Sequence, residues 1–320
     1  STVQPGTGDL IESKFCEHQN INYISCPEFL REGEAVKDFF TPDRIIIGGN
    51  NSKAVEKVVQ MHSGIDSPII KTKIITAEMI KFASNAFLAT KISFINEMAA
   101  FCEAWAADVD DVKDGLGLDH RIGKSFLNAG VGFGGSCLPK ETRAFTSLAS
   151  NYGFKSHLLS SVLEVNENQS QIPVRIIQKI FPDMNHVRVG ILGMSFKPNT
   201  DDIRESPSIK IAQTLSSLGC QVSCFDPISN QKSAEKLGTS VKFETSINNL
   251  SQNKHVILLM TPWDSILNTD WEHIYDSMSE PKILFDGRNS LNPEIIKNFG
   301  FNYVGVGRGI SSSDLDSIII

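Results

Sequence analysis

A glycine-rich segment that ends in a cysteine contains the residue types best suited to chemistry. Four of residues 130–135 are glycines, Cys137 follows them, and Lys140 adds a positive charge. Glycine lets a backbone approach a ligand closely, and a helix is expected just after Cys137. The amides at a helix N-terminus favour the thiolate, which is the nucleophilic form of cysteine. The segment predicts a nucleophilic cysteine, and the residues leave a buried, unreactive thiol as the alternative.

Other polar residues are spaced so that they could assist such a nucleophile. Lys81 and Asn85 lie four positions apart in a stretch with helical spacing, so their side chains emerge on one face. Glu28 and Glu32 lie close together in another segment, and a carboxylate can activate water. The residues alone leave the alternative that all four are ordinary solvated side chains.

The spacing of apolar residues indicates which elements position these side chains in the first part of the chain. Residues 1–72 alternate short strand and helix signals, with strands expected at 22–26, 44–49 and 68–71 and a helix at 55–61. A long helix follows from Thr76 to about Ala107, with Thr76 as its N-cap and Glu78 in its first turn.

The last part of the chain returns to alternating strands and helices. Strands are expected at 187–192, 221–225, 255–260 and 282–285, and a helix opens at Ser206 and Pro207. We therefore expect an α/β protein with three domains. They are a partial Rossmann-like domain (1–72), a central helical domain around the long helix (73–184) and a doubly wound parallel-sheet domain (185–320).

Composition excludes several classes of function. The 320 residues carry a net charge of −7 without a long Lys/Arg run, so we expect neither a nucleic-acid partner nor an anionic membrane surface. No apolar run is long enough to span a bilayer, and no signal peptide is recognisable. The spacing of the six cysteines suggests neither disulfides nor a metal site. We expect a cytoplasmic protein with free thiols and no metal.

Five segments resemble the UDP-glucose/GDP-mannose dehydrogenase family, and they occur in the family's order along nearly the whole chain. They are residues 27–33 (Pro-Glu-Phe-Leu-Arg-Glu-Gly), 81–89 (Lys-Phe-Ala-Ser-Asn-Ala-Phe-Leu-Ala), 133–140 (Phe-Gly-Gly-Ser-Cys-Leu-Pro-Lys), 196–206 (Phe-Lys-Pro-Asn-Thr-Asp-Asp-Ile-Arg-Glu-Ser) and 286–289 (Asp-Gly-Arg-Asn). The resemblance implies NAD-dependent, four-electron oxidation of a nucleotide sugar at C6. It also implies a homodimer formed through the central domain.

The resemblance assigns a role to each catalytic candidate. Cys137 is the nucleophile that forms a thiohemiacetal and then a thioester, while Lys81 and Asn85 hold the reacting oxygen. Glu28 is the base that acts through water in thioester hydrolysis. Glu141 occupies a position where the family usually has aspartate. Its extra methylene puts its part in the hydrolysis in doubt.

The resemblance also assigns binding residues. The substrate residues are Glu28, Phe29, Leu30, Glu32, Lys81, Asn85, Arg121, Phe126, Asn128, Gly130, Phe133, Gly134, Phe196, Lys197 and Arg288. Arg121 is expected to reach the substrate across the dimer interface. The NAD residues are Thr2, Glu32, Cys137, Lys140 and Arg204. Taken singly, each cation could instead be an ordinary surface charge.

Two questions stay open at this point. Family members begin with a strand and a Gly-x-Gly-x-x-Gly turn that is not found near residue 1, so we expect roughly 120 residues to be absent. A non-catalytic module that binds sugar nucleotides and dimerises is therefore the alternative to a dehydrogenase. Residues 118–123 and 197–204 favour UDP-glucose as substrate. GDP-mannose and UDP-N-acetylmannosamine are the alternatives, since residues 137–140 are also common in the GDP-mannose branch.

Overall fold

The computed structural model describes residues 2–16 and 21–308, which form two compact units. The first unit contains the chain up to Phe87 and the segment Ala144–Phe154. The second unit contains Leu88–Arg143 and the described residues from Lys155 onward. The units meet at three points in the chain, of which those at residues 87/88 and 143/144 fall inside helices, and the three domains expected at 1–72, 73–184 and 185–320 stay a prediction.

The chain up to residue 180 contains eight α-helices and three strands among its described residues. In order they are α1 (Thr7–Ile11), β1 (Ile24–Ser25), α2 (Ala35–Phe40), β2 (Ile45–Gly49), α3 (Ser52–Met61), β3 (Ile69–Thr72), α4 (Ile74–Trp105), α5 (Val109–Leu118), α6 (Leu138–Asn151), α7 (His157–Gln169) and α8 (Ile172–Ile180). A π-helical turn, Glu12–Cys16, follows α1.

The remaining described residues alternate strands and helices, as expected from the sequence. In order they are β4 (Arg188–Leu192), α9 (Pro207–Ser217), β5 (Gln221–Phe225), α10 (Asn230–Leu237), β6 (Lys242–Phe243), α11 (Ile247–Ser251), β7 (Val256–Leu259), α12 (Asp264–Leu267), α13 (Trp271–Ser277), β8 (Ile283–Asp286), α14 (Pro293–Asn298) and β9 (Asn302–Gly305). A 3₁₀ turn, Gly238–Ser240, precedes β6.

The first unit contains a three-stranded sheet in the order β1-β2-β3. The strand β2 is antiparallel to β1 and parallel to β3, so β2, α3 and β3 form one strand–helix–strand unit. Ile45, Ile47 and Val55 form the buried cluster between this sheet and α3. The helix α3 begins where the side chain of Asn51 accepts a hydrogen bond from the amide of Ala54. This partial α/β layer confirms the fold expected for residues 1–72.

The long helix α4 begins earlier than the sequence indicated. The expectation that Thr76 is its N-cap is wrong, because the amide of Ala77 already donates to the carbonyl of Lys73 at 3.0 Å. The buried side chain of Ile74 extends the apolar face by one residue at the start of the helix. Glu78 is also buried, and it accepts hydrogen bonds from the amides of Gly6 and Gly8 at 2.8 Å each.

The second unit contains a six-stranded, fully parallel sheet in the order β6-β5-β4-β7-β8-β9. Numbered within the unit, this is the 3-2-1-4-5-6 order of a doubly wound Rossmann-like sheet. All four residues of β7 are fully buried, as expected for a parallel strand covered on both faces. The order of neighbouring strands reverses between β4 and β7, where such sheets form a ligand crevice at the carboxyl ends.

The core of the second unit joins this sheet to the helical segment. Ile95, Ala99 and Cys102 of α4 belong to the same buried cluster as Val189 and Ile191 of β4. The α/β class, the long helix and the C-terminal parallel sheet are therefore confirmed. Over residues 2–16 and 21–308, none of the helices combines the length and the apolar character needed to cross a membrane.

Candidate functional site

The predicted site residues are divided between the two units. The first unit carries Thr2, Glu28, Phe29, Leu30, Glu32, Lys81 and Asn85. The second carries Cys137, its glycine-rich loop and the remaining predicted residues, Arg121, Phe126, Asn128, Lys140, Glu141, Phe196, Lys197, Arg204 and Arg288.

Glu28 is the centre of the cluster in the first unit. Its Oε1 accepts a hydrogen bond from the hydroxyl of Thr2 at 3.2 Å and lies 3.6 Å from the ammonium of Lys81. Its Oε2 accepts from the backbone amide of Leu30 at 2.8 Å. The side chain is 43% exposed, so the carboxylate is oriented by these contacts and is still open to water.

Lys81 is buried, which excludes the alternative that it is an ordinary solvated lysine. Its side chain is 6% exposed, and Asn85, one turn further along α4, is buried on the same side. The ammonium of Lys81 lies 5.2 Å from the ring centre of Phe29, and the guanidinium of Arg44 lies 3.8 Å from it. The ring is thus held by two cations, which fixes the segment that carries Glu28.

The turn that carries Thr2 is fixed by a buried carboxylate. Glu78 accepts from the amides of Gly6 and Gly8, which open the short helix α1. A Cβ on Gly8 would overlap the side chain of Ile74, so this position requires glycine. Glu78 therefore sets the position of the segment from which the hydroxyl of Thr2 reaches Glu28.

The segment between Glu28 and α2 is stabilised by an exposed ion pair. Asp38 accepts hydrogen bonds from the backbone amide of Arg31 at 2.8 Å and from its Nε and Nη2 at 3.0 and 2.7 Å. The side-chain hydrogen bonds to Arg31 lower the pKa of Asp38 to about 2. Leu30 and Glu32 lie on either side of Arg31 with exposed side chains.

In the second unit, hydrogen bonds hold the glycine-rich loop along its length. Its first residue, Gly130, donates from its amide to Asn96 Oδ1 at 2.8 Å. The amide of Val131 donates to the carbonyl of Gly287 at 3.1 Å. The amide of Gly135, at the other end of the loop, donates to the carbonyl of Arg204 at 2.9 Å.

Arg288 and Asn166 hold the middle of the same loop. Arg288 Nη1 donates to the carbonyl of Gly132 at 2.8 Å, and its Nε donates to the carbonyl of Met260 at 3.0 Å. Asn166 Oδ1 accepts from the amide of Phe133 at 2.7 Å, and Asn166 Nδ2 donates to the carbonyl of Phe133 at 3.1 Å. The loop is therefore a fixed element of the second unit.

Two glycines of the loop are required by the protein's own atoms. Gly132 has a φ of +95°, and a Cβ there would lie 2.8 Å from Asn166 Oδ1. A Cβ on Gly134 would overlap the carbonyl oxygen of Glu205. The sequence attributed these glycines to close approach of a ligand. The structure shows that they permit close packing of the loop against α7 and the segment before α9.

Cys137 differs from the other described cysteines in its exposure. It is exposed directly before the first residue of α6, whereas Cys102, Cys220 and Cys224 are buried. Burial raises the pKa of Cys220 to about 11, and it raises the pKa of Cys224 further. Cys137 is therefore not a buried thiol, and its role as the nucleophile stays a prediction.

The residues around Cys137 add polar groups to the start of α6. The hydroxyl of Ser136 lies 3.5 Å from Cys137 Sγ. Lys140 is exposed in the first turn of α6, and Glu141, one turn after Cys137, is buried. The amide of Glu141 donates to the carbonyl of Cys137 at 2.9 Å, so the helical hydrogen bonds of α6 begin at the cysteine.

The segment before the loop alternates exposed and buried side chains. Phe126 and Asn128 are exposed, while Leu127 and Ala129 are buried. Phe126 lies in a turn with a φ of +65°, and Asn128 follows two residues later, so both polar or aromatic side chains stay open to solvent directly before the loop. Arg121 is exposed, and its guanidinium forms hydrogen bonds to the carboxylate of Asp119.

The predicted nucleotide residues lie at the carboxyl ends of the parallel strands. Phe196 and Lys197 follow β4 and are partly buried, with the ammonium 5.8 Å from the ring centre. Arg288 follows β8, and burial lowers its pKa to about 10, so it keeps its charge at neutral pH. Arg204 pairs with Asp202 at 2.8 Å and has a largely exposed side chain.

The comparisons with known proteins place this chain in one family. The NAD binding, central and UDP binding domains of the UDP-glucose/GDP-mannose dehydrogenase family match residues 1–66, 75–168 and 190–293. The UDP-glucose 6-dehydrogenase TuaD of Bacillus subtilis is 39% identical over 315 residues, which are 96% of this chain and 68% of that protein. The UDP-glucose 6-dehydrogenase of Rickettsia typhi is 39% identical over 97% of this chain and 73% of its own length.

A solved structure of similar fold comes from the same family as these relatives. A UDP-glucose dehydrogenase from Pyrobaculum islandicum has a TM-score of 0.88 and 35% identity, over 96% of this chain and 69% of that one. The chain belongs to the UDP-glucose/GDP-mannose dehydrogenase family. It is an NAD-dependent oxidoreductase, and its UDP binding domain indicates a nucleotide-sugar substrate.

The residues of the first unit fit one end of NAD. The hydroxyl of Thr2, which Glu28 orients at 3.2 Å, is a group of the kind that forms hydrogen bonds with the amide of a nicotinamide. Among residues 2–16, 21–87 and 144–154, no Gly-x-Gly-x-x-Gly turn joins a strand to a helix. The fit therefore concerns the nicotinamide end of the cofactor.

Sequence reasoning missed the positioning role of four residues. They are Arg44, Glu78, Asn96 and Asn166. Of these, the sequence pointed only to Glu78, and it predicted a role in the first turn of the long helix and not in the turn near Thr2. A polar residue inside an otherwise apolar helix face was the available signal for Asn96, which is buried. Within the described part of the chain, no group of three or more His, Cys, Asp or Glu side chains could hold a metal ion.

Proposed function

We propose that this protein oxidises UDP-glucose to UDP-glucuronate in two successive steps that consume two NAD. The observation that carries the proposal is the position of Cys137, exposed at the start of α6 and preceded by a loop that hydrogen bonds hold in place. Bound NAD supplies a hydride acceptor for each of the two oxidations.

Cys137 makes the four-electron reaction possible without release of the aldehyde. Its thiolate adds to the C6 aldehyde that the first oxidation produces, and a thiohemiacetal forms on Sγ. The second oxidation converts the thiohemiacetal to a thioester. Water then attacks the thioester carbon, the bond to Sγ breaks, and the carboxylate product leaves with the thiolate restored. A thiolate suits both steps because it adds readily to aldehydes and leaves readily from thioesters.

Charged residues of the first unit supply the acid–base chemistry in this proposal. Lys81 and Asn85 bind the reacting oxygen, and the cation stabilises negative charge as it develops there. Glu28 orients and deprotonates the water that attacks the thioester, which its hydrogen bonds and its exposure support. Glu32 contacts both substrate and nicotinamide. Glu141 assists the hydrolysis from the second unit.

The remaining predicted residues bind the two ligands in this proposal. The sugar nucleotide is bound by Phe29, Leu30, Arg121, Phe126, Asn128, Gly130, Phe133, Gly134, Phe196, Lys197 and Arg288. NAD is bound by Thr2, Glu32, Cys137, Lys140 and Arg204. Arginine and lysine suit a pyrophosphate, and an aromatic ring suits a uracil or sugar face.

The protein acts as a homodimer in this proposal, and its long helix supports that arrangement. Phe94, Phe101 and Trp105 lie at seven- and four-residue steps on one side of α4, and all three are exposed. Trp105 is 75% exposed and its ring stacks on that of Phe101 at 5.3 Å. Solvated aromatic rings on one helix face suit contact with a second copy. Arg121 then reaches the substrate of the partner.

The three-domain organisation and the location belong to the same proposal. The segments 1–72, 73–184 and 185–320 correspond to NAD binding, dimerisation and sugar-nucleotide binding. The five cysteines whose side chains are described are free thiols, which supports a reducing cytoplasm, and Cys137 needs its thiol for the reaction.

The role of Cys137 is tested by Cys137→Ala in the full-length enzyme. NADH formation at 340 nm and product analysis should show loss of the two-NADH turnover of UDP-glucose to UDP-glucuronate. Cys220→Ala is the control, because that thiol is buried directly before β5. Undiminished uronate production by Cys137→Ala contradicts the mechanism.

The substrate is tested by calorimetry with UDP-glucose, GDP-mannose and UDP-N-acetylmannosamine. We expect UDP-glucose to bind most tightly. Clear preference for the guanine nucleotide would overturn the substrate assignment and leave the cysteine chemistry intact, since that chemistry does not depend on the base.

A further inference from the structure

A buried carboxylate lies at the carboxyl end of β5, next to the crevice of the second unit. Asp226 directly follows Phe225, the last residue of β5, and is 1% exposed. In dinucleotide-binding sheets, the acid at the end of the second strand hydrogen-bonds the ribose of the cofactor. Asp226 occupies that place, because β5 is the second strand of this sheet and the parallel neighbour of β4.

Donors of the protein itself occupy the hydrogen-bond acceptor sites of the Asp226 carboxylate. Its Oδ2 accepts from the amides of Met194 and Ser195 at 2.8 and 3.1 Å and from the hydroxyl of Ser195 at 3.1 Å. Its Oδ1 accepts from the amides of Ile228 and Ser229 at 3.0 and 2.8 Å. A carboxylate has about four lone-pair sites, so these donors leave none for a ribose hydroxyl.

The indole of Trp263 donates a further hydrogen bond to the same carboxylate, from the loop on the other side of the crevice. Trp263 Nε1 donates to Asp226 Oδ2 at 3.1 Å, and the side chain of Trp263 is buried. Trp263 lies between β7 and α12, whereas Met194 and Ser195 follow β4. Asp226 therefore joins the two loops at the point where the strand order of the sheet reverses.

A second contact holds the same two loops together. The hydroxyl of Thr261, after β7, donates to the carbonyl of Ser195 at 2.5 Å. Gly193 has a φ of +93°, and a Cβ there would overlap the side chain of Thr261. Ser206 donates from its hydroxyl to the carbonyl of Met194 at 2.7 Å. The backbone groups of residues 194 and 195 are thus all hydrogen-bonded just before Phe196.

The charge of Asp226 strengthens these contacts. Burial alone would raise the pKa of this carboxyl, but the backbone amides that point at it outweigh burial and hold the pKa below its ordinary value. Asp226 is therefore an anion at neutral pH, and hydrogen bonds to an ionised acceptor are roughly twice as strong as neutral ones.

We infer that Asp226 and Trp263 are positioning residues for the nucleotide. Their contact sets the distance between the loops after β4 and β7, and so it places Phe196 and Lys197 for a uridine diphosphate. It also withholds the carboxylate from an adenosine ribose, so this Rossmann-like unit does not bind the adenosine half of NAD. The inference rests on the proposed function, because it assumes a UDP-sugar as the ligand.

The test uses UDP as the probe and a matched pair of tryptophan variants. Trp263→Phe removes the indole donor and keeps an aromatic ring. Trp271→Phe is the control, since Trp271 is equally buried in the same unit and its indole donates to the helical carbonyl of Leu267 at 3.3 Å. Loss of one hydrogen bond to a buried charge predicts that Trp263→Phe raises the Kd of UDP about 10-fold. Trp271→Phe should leave the Kd of UDP unchanged.

Steady-state kinetics separate positioning from general damage. Trp263→Phe should raise the KM for UDP-glucose by a similar factor and leave kcat and the KM for NAD unchanged. Asp226→Asn should act in the same direction and more strongly, and Trp263→Phe keeps the test decisive if Asp226→Asn fails to fold. Millimolar AMP should not displace UDP from the unsubstituted protein.

Each outcome bears on a different statement. A Kd of UDP that is the same in Trp263→Phe as in the unsubstituted protein would overturn the inference alone. So would displacement of UDP by AMP, or a rise in the KM for NAD as large as that for UDP-glucose. Failure of the unsubstituted protein to bind UDP would overturn the proposed function and the inference together.

Discussion

The side chain of Asn166 forms two hydrogen bonds with the backbone of Phe133. They are the pair of bonds that a neighbouring β-strand would form. Its Oδ1 accepts from the Phe133 amide at 2.7 Å, and its Nδ2 donates to the Phe133 carbonyl at 3.1 Å. Asn166 belongs to α7, and Phe133 lies four residues before Cys137. A helix side chain thus substitutes for sheet pairing and fixes the backbone that leads to the exposed thiol.

Replacing Asn166 should therefore impair catalysis. Asn166→Ala leaves the amide and carbonyl of Phe133 without partners, which destabilises the fold by about 1–3 kcal/mol. Displacement of the loop should lower kcat about 10- to 100-fold, because small misplacements of a reacting group have effects of that size. The measurements are NADH formation at 340 nm and thermal unfolding.

The control for this prediction is Asn168→Ala on the same helix. The side chain of Asn168 is exposed, so its removal should change neither kcat nor the unfolding temperature appreciably. Equal kcat values for the two variants would show that the loop does not depend on Asn166.

Gly134 should tolerate no side chain. A Cβ there would overlap the carbonyl oxygen of Glu205, so Gly134→Ala should destabilise the protein by about 2 kcal/mol and lower kcat at least about 10-fold. Gly153→Ala is the control for a glycine substitution without overlap, because Gly153 has a φ of +78° and open space around its Cβ position. The control should lose about 1 kcal/mol of stability from backbone strain and keep its kcat. Full activity of Gly134→Ala would contradict the described packing.

The ion pair between Arg31 and Asp38 predicts a dependence of stability on pH. The side-chain hydrogen bonds to Arg31 lower the pKa of Asp38 to about 2 in the folded protein, below the ordinary value of about 3.9. A carboxyl whose pKa is depressed by folding contributes stability above its unfolded pKa, and that stability is lost as the pH falls through the folded pKa. Asp38→Asn should therefore lower the unfolding temperature at pH 7.

The difference between the two proteins should shrink below about pH 4 and be mostly lost at about pH 2. Circular dichroism melts from pH 2 to pH 7 measure this directly. Asp66→Asn is the control, since Asp66 is exposed and no ion pair is found for it within the part of the chain that the structure describes. A pH-independent difference for Asp38→Asn would show that its charge is not the cause.

The aromatic face of α4 predicts which substitutions separate the dimer. Phe101→Glu together with Trp105→Glu places two charges where a second copy is expected, and should weaken dimerisation at least about 100-fold. Light scattering after size-exclusion chromatography measures the mass. Leu158→Glu, at an exposed apolar position of α7, is the control and should leave the dimer intact. A dimer that survives the double substitution would exclude this face.

Local patterns were sufficient to predict the elements and the location of the key residues. The strand at residues 221–225 has the predicted bounds, because Val222, Cys224 and Phe225 give this short segment the apolar content of a parallel strand covered by helices. Lys81 and Asn85 share a face of α4 because helical periodicity fixes their directions. Cys137 lies directly before a helix, as the residues around it indicated.

Contacts between distant segments could not be predicted in this way. Arg44 stacks on Phe29, and Asn166 binds Phe133, but nothing in the spacing of these residues indicates such pairs. The start of α4 was misplaced because Thr76 has the chemistry of an N-cap, while burial of Ile74 extended the helix past it. Tertiary packing overrode a local preference there.

The hydrogen bonds along the glycine-rich loop have a thermodynamic consequence for recognition. Residues 130–135 contain four glycines, which lose more conformational entropy on ordering than any other residue type. Since Asn96, Arg288 and Asn166 hold this segment within the second unit, that entropy is lost when the chain folds and not when a ligand arrives. Association then proceeds without the unfavourable ordering of a flexible segment, so more of the contact energy remains as affinity.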